Sequence, residues 1–295
     1  MIIDAHVHLL PKRVREDRSY FCLSDPAFGS IYSSENTRLV SEDEIMSYLD
    51  SSGIERAIVF GFPWEAPDLV ASNNDEVWSF HQRYPGRIIP FAVLTSAAGH
   101  EAAFIEAART LEGGFAGLGE LAMYHGGWNS EDFEALDPVL KLAAENKVPV
   151  VLHVNEPVGH KYPGKITVDF SGLLSLIAAN PDVDVVLAHF GGGVFIYALM
   201  PEIGIALSRT YVDTAASPFL YDWRVFDVAC RLLGPGKILF GSDFPLLPMA
   251  RYLKELDKAG IYGALREAIL GHNAAKLLER KSQPGQEPAT IREHI

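Results

Sequence analysis

Two histidines two residues apart, His6 and His8, close a β-branched run near the start of the chain. On an extended strand alternate side chains share a face, with Cα atoms about 6.5 Å apart, so both imidazoles can turn to one ion. Imidazole suits Zn²⁺, Fe²⁺, Ni²⁺ or Cu²⁺ better than Mg²⁺ or Ca²⁺. Other residues of ligand type end later apolar runs: His153 after VPVVL, His189 after VDVVLA and Asp243 after KILFGS. Glu120 sits near the end of a glycine-rich run, GLGEL. Each has a plainer reading by itself. Two histidines can alternate on any strand, Asp243 can cap a helix, and the phase of Glu120 in its strand is open. The joint pattern outweighs these, because His81, His100, His125, His160, His272 and His294 fall at no such positions.

Such residues meet only if the runs are strands of one barrel. Strands are expected at residues 2–8, 56–60, 88–94, 115–121, 148–153, 183–189, 210–213 and 237–240. Amphipathic helical patterns alternate with them at 41–51, 73–83, 101–111, 132–145, 172–179, 221–232, 248–258 and 273–280. Ser41 and Glu44 make a capping box at the first of these. Strand–helix units at roughly 30-residue spacing fit a parallel (β/α)₈ TIM barrel, whose strand ends meet at one face. Closure sets the eighth strand beside the first and brings Asp243 to His6 and His8. A doubly wound sheet is the competing architecture, but no Gly-x-Gly-x-x-Gly follows the first strand. A single barrel domain is expected over 1–282, with a polar tail over 283–295.

The composition narrows the partners. The 295 residues include 38 acidic and 25 basic side chains, a formal charge of −13, which argues against nucleic acid or an anionic membrane surface. Apolar residues at 48% and charged ones at 21% are a globular mixture. Cys22 and Cys230 are too few for a disulfide framework, so a cytoplasmic location is expected. The chain opens without a basic or apolar leader pattern. The apolar stretch 185–200 is broken by His189 and Gly191–Gly193 and cannot span a bilayer. No P-loop or Gly-x-Ser-x-Gly elbow is present. The partner expected is a small molecule. A homo-oligomer is compatible with such barrels, although no interface can be read.

Asp4-Ala5-His6-Val7-His8, His153, His189-Phe190-Gly191-Gly192, Gly241-Ser242-Asp243-Phe244-Pro245 and the closing Gly271-His272-Asn273-Ala274-Ala275-Lys276-Leu277-Leu278 together resemble the amidohydrolase superfamily. The resemblance is strongest to its amidohydrolase-related branch, which includes aminocarboxymuconate-semialdehyde decarboxylase, hydrolases and lactonases, and covers residues 3–278. It implies that His6, His8 and His153 are metal ligands and that Asp243 is a ligand or general base. It implies that His189 polarises or protonates the reacting group, or binds a second metal. Two-metal members often carry a carboxylated lysine on the fourth strand, and residues 115–121 contain no lysine. Glu120 is similar to the glutamate some members use there, so one ion is expected, or two if Glu120 bridges. Zinc is expected first, with manganese or iron as alternatives.

A bound Zn²⁺ lowers the pKa of its water to about 7. The expected activity is therefore hydrolysis of an ester, lactone or amide of a small molecule. Asp243 orients the water and takes its proton, and His189 stabilises charge on a carbonyl oxygen. The alternative is a metal-dependent non-oxidative decarboxylase of an unsaturated or aromatic acid. A remote alternative is a non-catalytic binding barrel. Glu120 tips the balance to hydrolysis, since a fourth-strand carboxylate is more at home in a hydrolytic site. Substrate contacts are expected on the loops after the strands: Trp64, Tyr124, and Asn155 and Lys161 of an insertion over 154–167 that reads as a lid or a plain excursion. Lys161 is the candidate partner for a substrate carboxylate. Gly191–Gly193 either present N–H groups to an anion or pack closely against a neighbour.

Overall fold

The apolar runs pair side by side as eight parallel strands in chain order, in a computed structural model that describes residues 1–95 and 100–279. They are β1 (Ile3–His8), β2 (Arg56–Phe60), β3 (Ile88–Ala92), β4 (Gly117–Leu121), β5 (Val150–Leu152), β6 (Val185–Leu187), β7 (Thr210–Asp213) and β8 (Ile238–Leu239). The last strand returns to the first. Ala5 N–H donates to Phe240 O at 2.7 Å and His8 N–H to Phe244 O at 3.0 Å, and Val7 bridges Phe244 in parallel. Helices fill the connections, giving the expected (β/α)₈ barrel. β5 and β6 stop before the expected ends, and His153 and His189 stand just beyond them. At His189 the backbone turns left-handed, with φ 57°, which no strand can continue.

Period-two alternation sorts the strand residues into two cores. Ile58, Phe60, Phe91, Val151, Val186 and Leu239 fill the barrel, whereas Val59, Leu118, Val150, Leu152, Val185 and Val212 face the helices. Two strands break the alternation, and both carry site residues. In β1, Ile3 and Ala5 join the inner core and Val7 and Leu9 the outer one, with irregular pairing to β2 between Asp4 and Val7. That slip turns His6 and His8 inward against Phe60, at 4.8 Å between ring centroids in each case. In β4 the pairing to β5 is irregular between Leu118 and Leu121. Gly119 takes φ +134°, and a Cβ there would lie 2.6 Å from Val151 Cβ. Glycine alone permits that approach, and it sets Glu120 toward the barrel axis.

The helix Glu42–Ser52 carries the expected capping box of Ser41 and Glu44. The next helix starts earlier than its apolar pattern, at Pro67, a residue suited to a first turn. Asn73 therefore lies within it, buried. Its Oδ1 accepts from Phe62 N (3.1 Å) and Trp64 Nε1 (2.9 Å), and its Nδ2 donates to Leu9 O (2.9 Å). One amide thus ties the loops after β1 and β2 together. Asn73→Ala should strand these buried groups and cost about 2–4 kcal/mol, measured as a lower midpoint in denaturant unfolding.

Three short helices after β1, Lys12–Glu16, Arg18–Ser24 and Pro26–Tyr32, have no counterpart in the sequence reading. They are too short for a periodic signal. Asp17 and Asp25 cap the second and third, and Phe21 and Phe28 pack on Trp64. The last described helix is Asn273–Glu279, so Arg280 and the expected tail over 283–295 lie outside the described residues. No helix among the described residues is long and apolar enough to cross a membrane.

Candidate metal centre

Four imidazoles gather at the C-terminal mouth of the barrel, each held by its outer nitrogen. His6 Nδ1 meets Asp213 Oδ2 at 2.8 Å. His8 Nδ1 meets Gly61 O at 3.2 Å, His153 Nε2 meets Gly164 O at 3.0 Å and His189 Nδ1 meets Ala215 O at 3.0 Å. These oxygens can only accept, so the outer nitrogens carry hydrogen and the inner ones are left for the centre. All four inner nitrogens surround Glu120. Its Oε1 lies 2.9 Å from His153 Nδ1 and 3.3 Å from His189 Nε2, and its Oε2 lies 3.8 Å from His6 Nε2 and 3.9 Å from His8 Nε2.

Asp243 completes the side of His6 and His8. Its Oδ1 is 3.4 Å from His8 Nε2 and 3.7 Å from His6 Nε2, and the two Nε2 atoms are 3.2 Å apart. Donors bound at 2.0–2.2 Å to one ion lie roughly 2.8–3.6 Å from one another, which is close to this spacing. His6, His8 and Asp243 are thus one set fit for a cation, and His6, Glu120 and His189 a second that shares a member. Two lone pairs facing each other at this distance repel unless a proton or metal stands between them. Asp243 and His189 both have φ +57°, a conformation costing about 1–3 kcal/mol. It is held by Leu246 N–H donating to Asp243 O (2.7 Å) and His189 N–H donating to Asp213 Oδ1 (2.9 Å).

The electrostatics agree. Burial works to lower the pKa of His6, but Asp213, Glu120 and Asp243 together raise it to about 9. Burial opposes charge on His189 too, yet Glu120, Asp243 and Asp213 raise it to about 10. Burial pushes Glu120 up, and His153 and His6 override it, holding the carboxyl well below its usual range. Asp243 is likewise drawn down to about 2 against burial, by His8, His6 and His189. Every shift favours added positive charge at the centre, the condition a divalent cation meets.

The residues expected to touch substrate divide. Tyr124 joins the centre: its hydroxyl lies 3.5 Å from His153 Nδ1, and its ring stacks on Phe62. Trp64 does not. It is fully buried, with its indole N–H on Asn73, because the loop after β2 folds back into an aromatic cluster. Asn155 spends both amide atoms on Ile166, accepting from its N–H at 2.9 Å and donating to its carbonyl at 2.6 Å, and so closes the base of the 154–167 excursion. Lys161 is exposed, and the partly buried cation of that excursion is Lys165. Of the two readings of Gly191–Gly193, close packing fits: a Cβ on Gly192 would fall 2.4 Å from Asn155 O. The sequence reading passed over Asp213, although it ends an expected strand just as His153 and Asp243 follow theirs. It also passed over Tyr32, a buried tyrosine near enough to Asp243 and Glu120 that, after burial, their charges raise its pKa. No periodicity marks it.

The family model for amidohydrolases matches residues 3–280. The chain belongs to that family. A decarboxylase named macB from Penicillium terrestre is 28% identical over 122 residues, a stretch spanning only about a third of that protein's length (36%) and 35% of this chain. The 5-carboxyvanillate decarboxylase LigW from Sphingomonas paucimobilis has the same fold, with TM-score 0.76, 13% identity, and 94% of this chain and 98% of that one covered. The 5-carboxyvanillate decarboxylase of Novosphingobium aromaticivorans, solved with manganese and 4-hydroxy-3-methoxy-5-nitrobenzoic acid, has TM-score 0.74 and 16% identity over 95% of this chain and 96% of that one.

These likenesses overturn the hydrolytic expectation in favour of its lyase alternative. The argument from Glu120 fails for a physical reason. A carboxylate ringed by four imidazoles balances their charge whether the ion holds water or a substrate carboxylate, so it does not select between the reactions.

Proposed function

We propose that this amidohydrolase-family chain is a divalent-metal-dependent, non-oxidative decarboxylase of a hydroxylated aromatic acid. The observation that carries the proposal is the likeness to the decarboxylases named above, joined to a centre whose donors could hold the ion. His6, His8 and Asp243 converge as ion donors, and on the opposite side Glu120 Oε1 lies 2.9 Å from His153 Nδ1 and 3.3 Å from His189 Nε2. The decarboxylases named above support the reaction class, and the manganese of one of them makes Mn²⁺ the first ion to test, ahead of zinc and iron. The two cysteines, unpaired in the structure, are the basis for a cytoplasmic location.

A bound divalent ion supplies an anchor for the substrate carboxylate and a sink for the negative charge of a neighbouring hydroxyl. His189, held protonated by Glu120, gives its proton to the ring carbon bearing the carboxylate. The bond from that carbon to the carboxylate then breaks, its electron pair returns to the ring, and CO₂ leaves. His189 recovers a proton from solvent. Asp243 and Glu120 stay anionic and keep the centre's charge balanced. Tyr124 and the excursion over His153 exclude water from the ring.

The test is release of labelled CO₂ from a panel of carboxyl-labelled hydroxybenzoic acids. Manganese-loaded protein should release it, chelator-stripped protein should not, and added Mn²⁺ should restore release. Ester or lactone hydrolysis without CO₂ would contradict the reading.

A further inference from the structure

Ala216 and Asp243, in the loops after β7 and β8, are not glycines, yet both hold left-handed backbone, with φ 55° and 57°. Such backbone persists where neighbours fix it, and one side chain ties these two turns together. Tyr252 belongs to the helix Met249–Lys258, which follows β8. It is buried, with its ring edge-on to Phe240 at 5.5 Å between centroids. Its hydroxyl donates to Ser242 O at 2.6 Å and accepts from Ala216 N–H at 3.1 Å. The proposed chemistry leaves this residue unused.

Each of the two bonds lands beside a residue of the centre. Ser242 immediately precedes Asp243. Ala216 follows Ala215, whose carbonyl meets His189 Nδ1 at 3.0 Å. Ala215 N–H donates to Asp213 Oδ1 at 3.0 Å, the same oxygen that accepts from His189 N–H. Ser242 is pinned on its other side as well. Its N–H donates to Asp4 Oδ1 at 2.9 Å, and that oxygen also accepts from His6 N–H at 3.2 Å. Asp4 thus sets the Asp243 turn against the β1 ligands, and Tyr252 sets it against the loop that holds His189. Burial, then the charges of Asp243 and Asp4, push the phenol's pKa well up, so it keeps the hydrogen that it donates.

We propose that Tyr252 is a positioning residue, whose hydroxyl fixes the turn of the ion donor Asp243 against the loop that orients His189. It touches neither ion nor substrate and acts through two backbone groups. The ring packs without the hydroxyl, so Tyr252→Phe removes the tie and keeps the packing. The role of His189 as proton donor rests on the proposed function, but the tie itself does not require turnover. It also makes the two loops respond together: an ion held at Asp243 steadies Ser242 O, and through the hydroxyl it steadies Ala216 N–H.

Two measurements with Mn²⁺ test this. In the wild type, hydrogen exchange at the Ala216 amide, read by fragmentation mass spectrometry, should slow on Mn²⁺ binding by on the order of 10- to 100-fold, the usual span of coupling between sites. Titration against a competing chelator should show Tyr252→Phe binding Mn²⁺ about tenfold more weakly, as loss of an outer partner does. The control is Leu256→Ala, which removes a buried side chain from the same helix that can make no hydrogen bond. It should lower the unfolding midpoint and leave Mn²⁺ affinity within about twofold. Ala216 exchange that ignores Mn²⁺ in the wild type would overturn the proposal, even if Tyr252→Phe fails to fold. So would wild-type affinity in a folded Tyr252→Phe, or an equal loss of affinity in Leu256→Ala, which would mark a merely structural role. The expected results in a protein that releases no CO₂ from any acid would keep this role for Tyr252 and remove the decarboxylase reading.

Discussion

His8→Ala should lower CO₂ release by on the order of a thousandfold, about the 4 kcal/mol that one oriented electrostatic group gives a transition state. His8 is the cleaner of the β1 pair to remove. Its side chain is 11% exposed and its outer nitrogen meets only a backbone carbonyl. Removing the fully buried His6 would instead take from Asp213 Oδ2 its imidazole partner in the interior. The variant should keep the thermal midpoint of the metal-free protein within a few degrees, because Asp243, which loses His8, keeps His6 beside it. Steady-state assays with saturating Mn²⁺ check the claim. Wild-type turnover in His8→Ala would remove the residue from the centre.

The second large effect is expected one layer further out. Asp213 Oδ2 fixes the hydrogen of His6 on Nδ1, and Oδ1 accepts from His189 N (2.9 Å) and Ala215 N (3.0 Å). In Asp213→Asn the amide keeps Oδ1 on those two N–H groups and turns an N–H₂ toward His6. Nδ1 must then accept, the hydrogen moves to Nε2, and the ligand lone pair is lost. Orienting partners of metal-bound histidines are worth roughly 10- to 100-fold in affinity, so Mn²⁺ should bind that much more weakly. Unfolding should change little, since both backbone bonds survive. Metal titration against a competing chelator measures the shift. Unaltered affinity would mean that Asp213 serves packing alone.

The barrel could be anticipated because its strands are buried on both faces, and such strands write themselves as short β-branched runs such as VPVVL and VDVVLAH. The order of His6, His8, His153, His189 and Asp243 followed once those runs were laid side by side. Glu120 was harder. Its direction depends on a pairing irregularity in β4 and on the approach of Gly119 to Val151, neither of which has a periodic signature. The loops resisted for a different reason. Trp64 looks like a rim aromatic by position, yet Asn73, eleven residues beyond Phe62, draws it into the core. Lys161 and Lys165 are equivalent by composition, and only the fold of the excursion buries one of them. The reaction was not readable from the ligand types, since the same imidazoles and carboxylates can serve a hydroxide or a substrate carboxylate.

The most direct test of the centre is the metal content of protein purified without chelator or affinity metal, compared with a His6→Ala/His8→Ala double variant, by elemental mass spectrometry. The convergence of His6, His8 and Asp243 predicts about one divalent ion per chain in the wild type and none in the variant. A wild type that takes up no ion even after reconstitution with Mn²⁺, or a variant that retains it, would contradict the account.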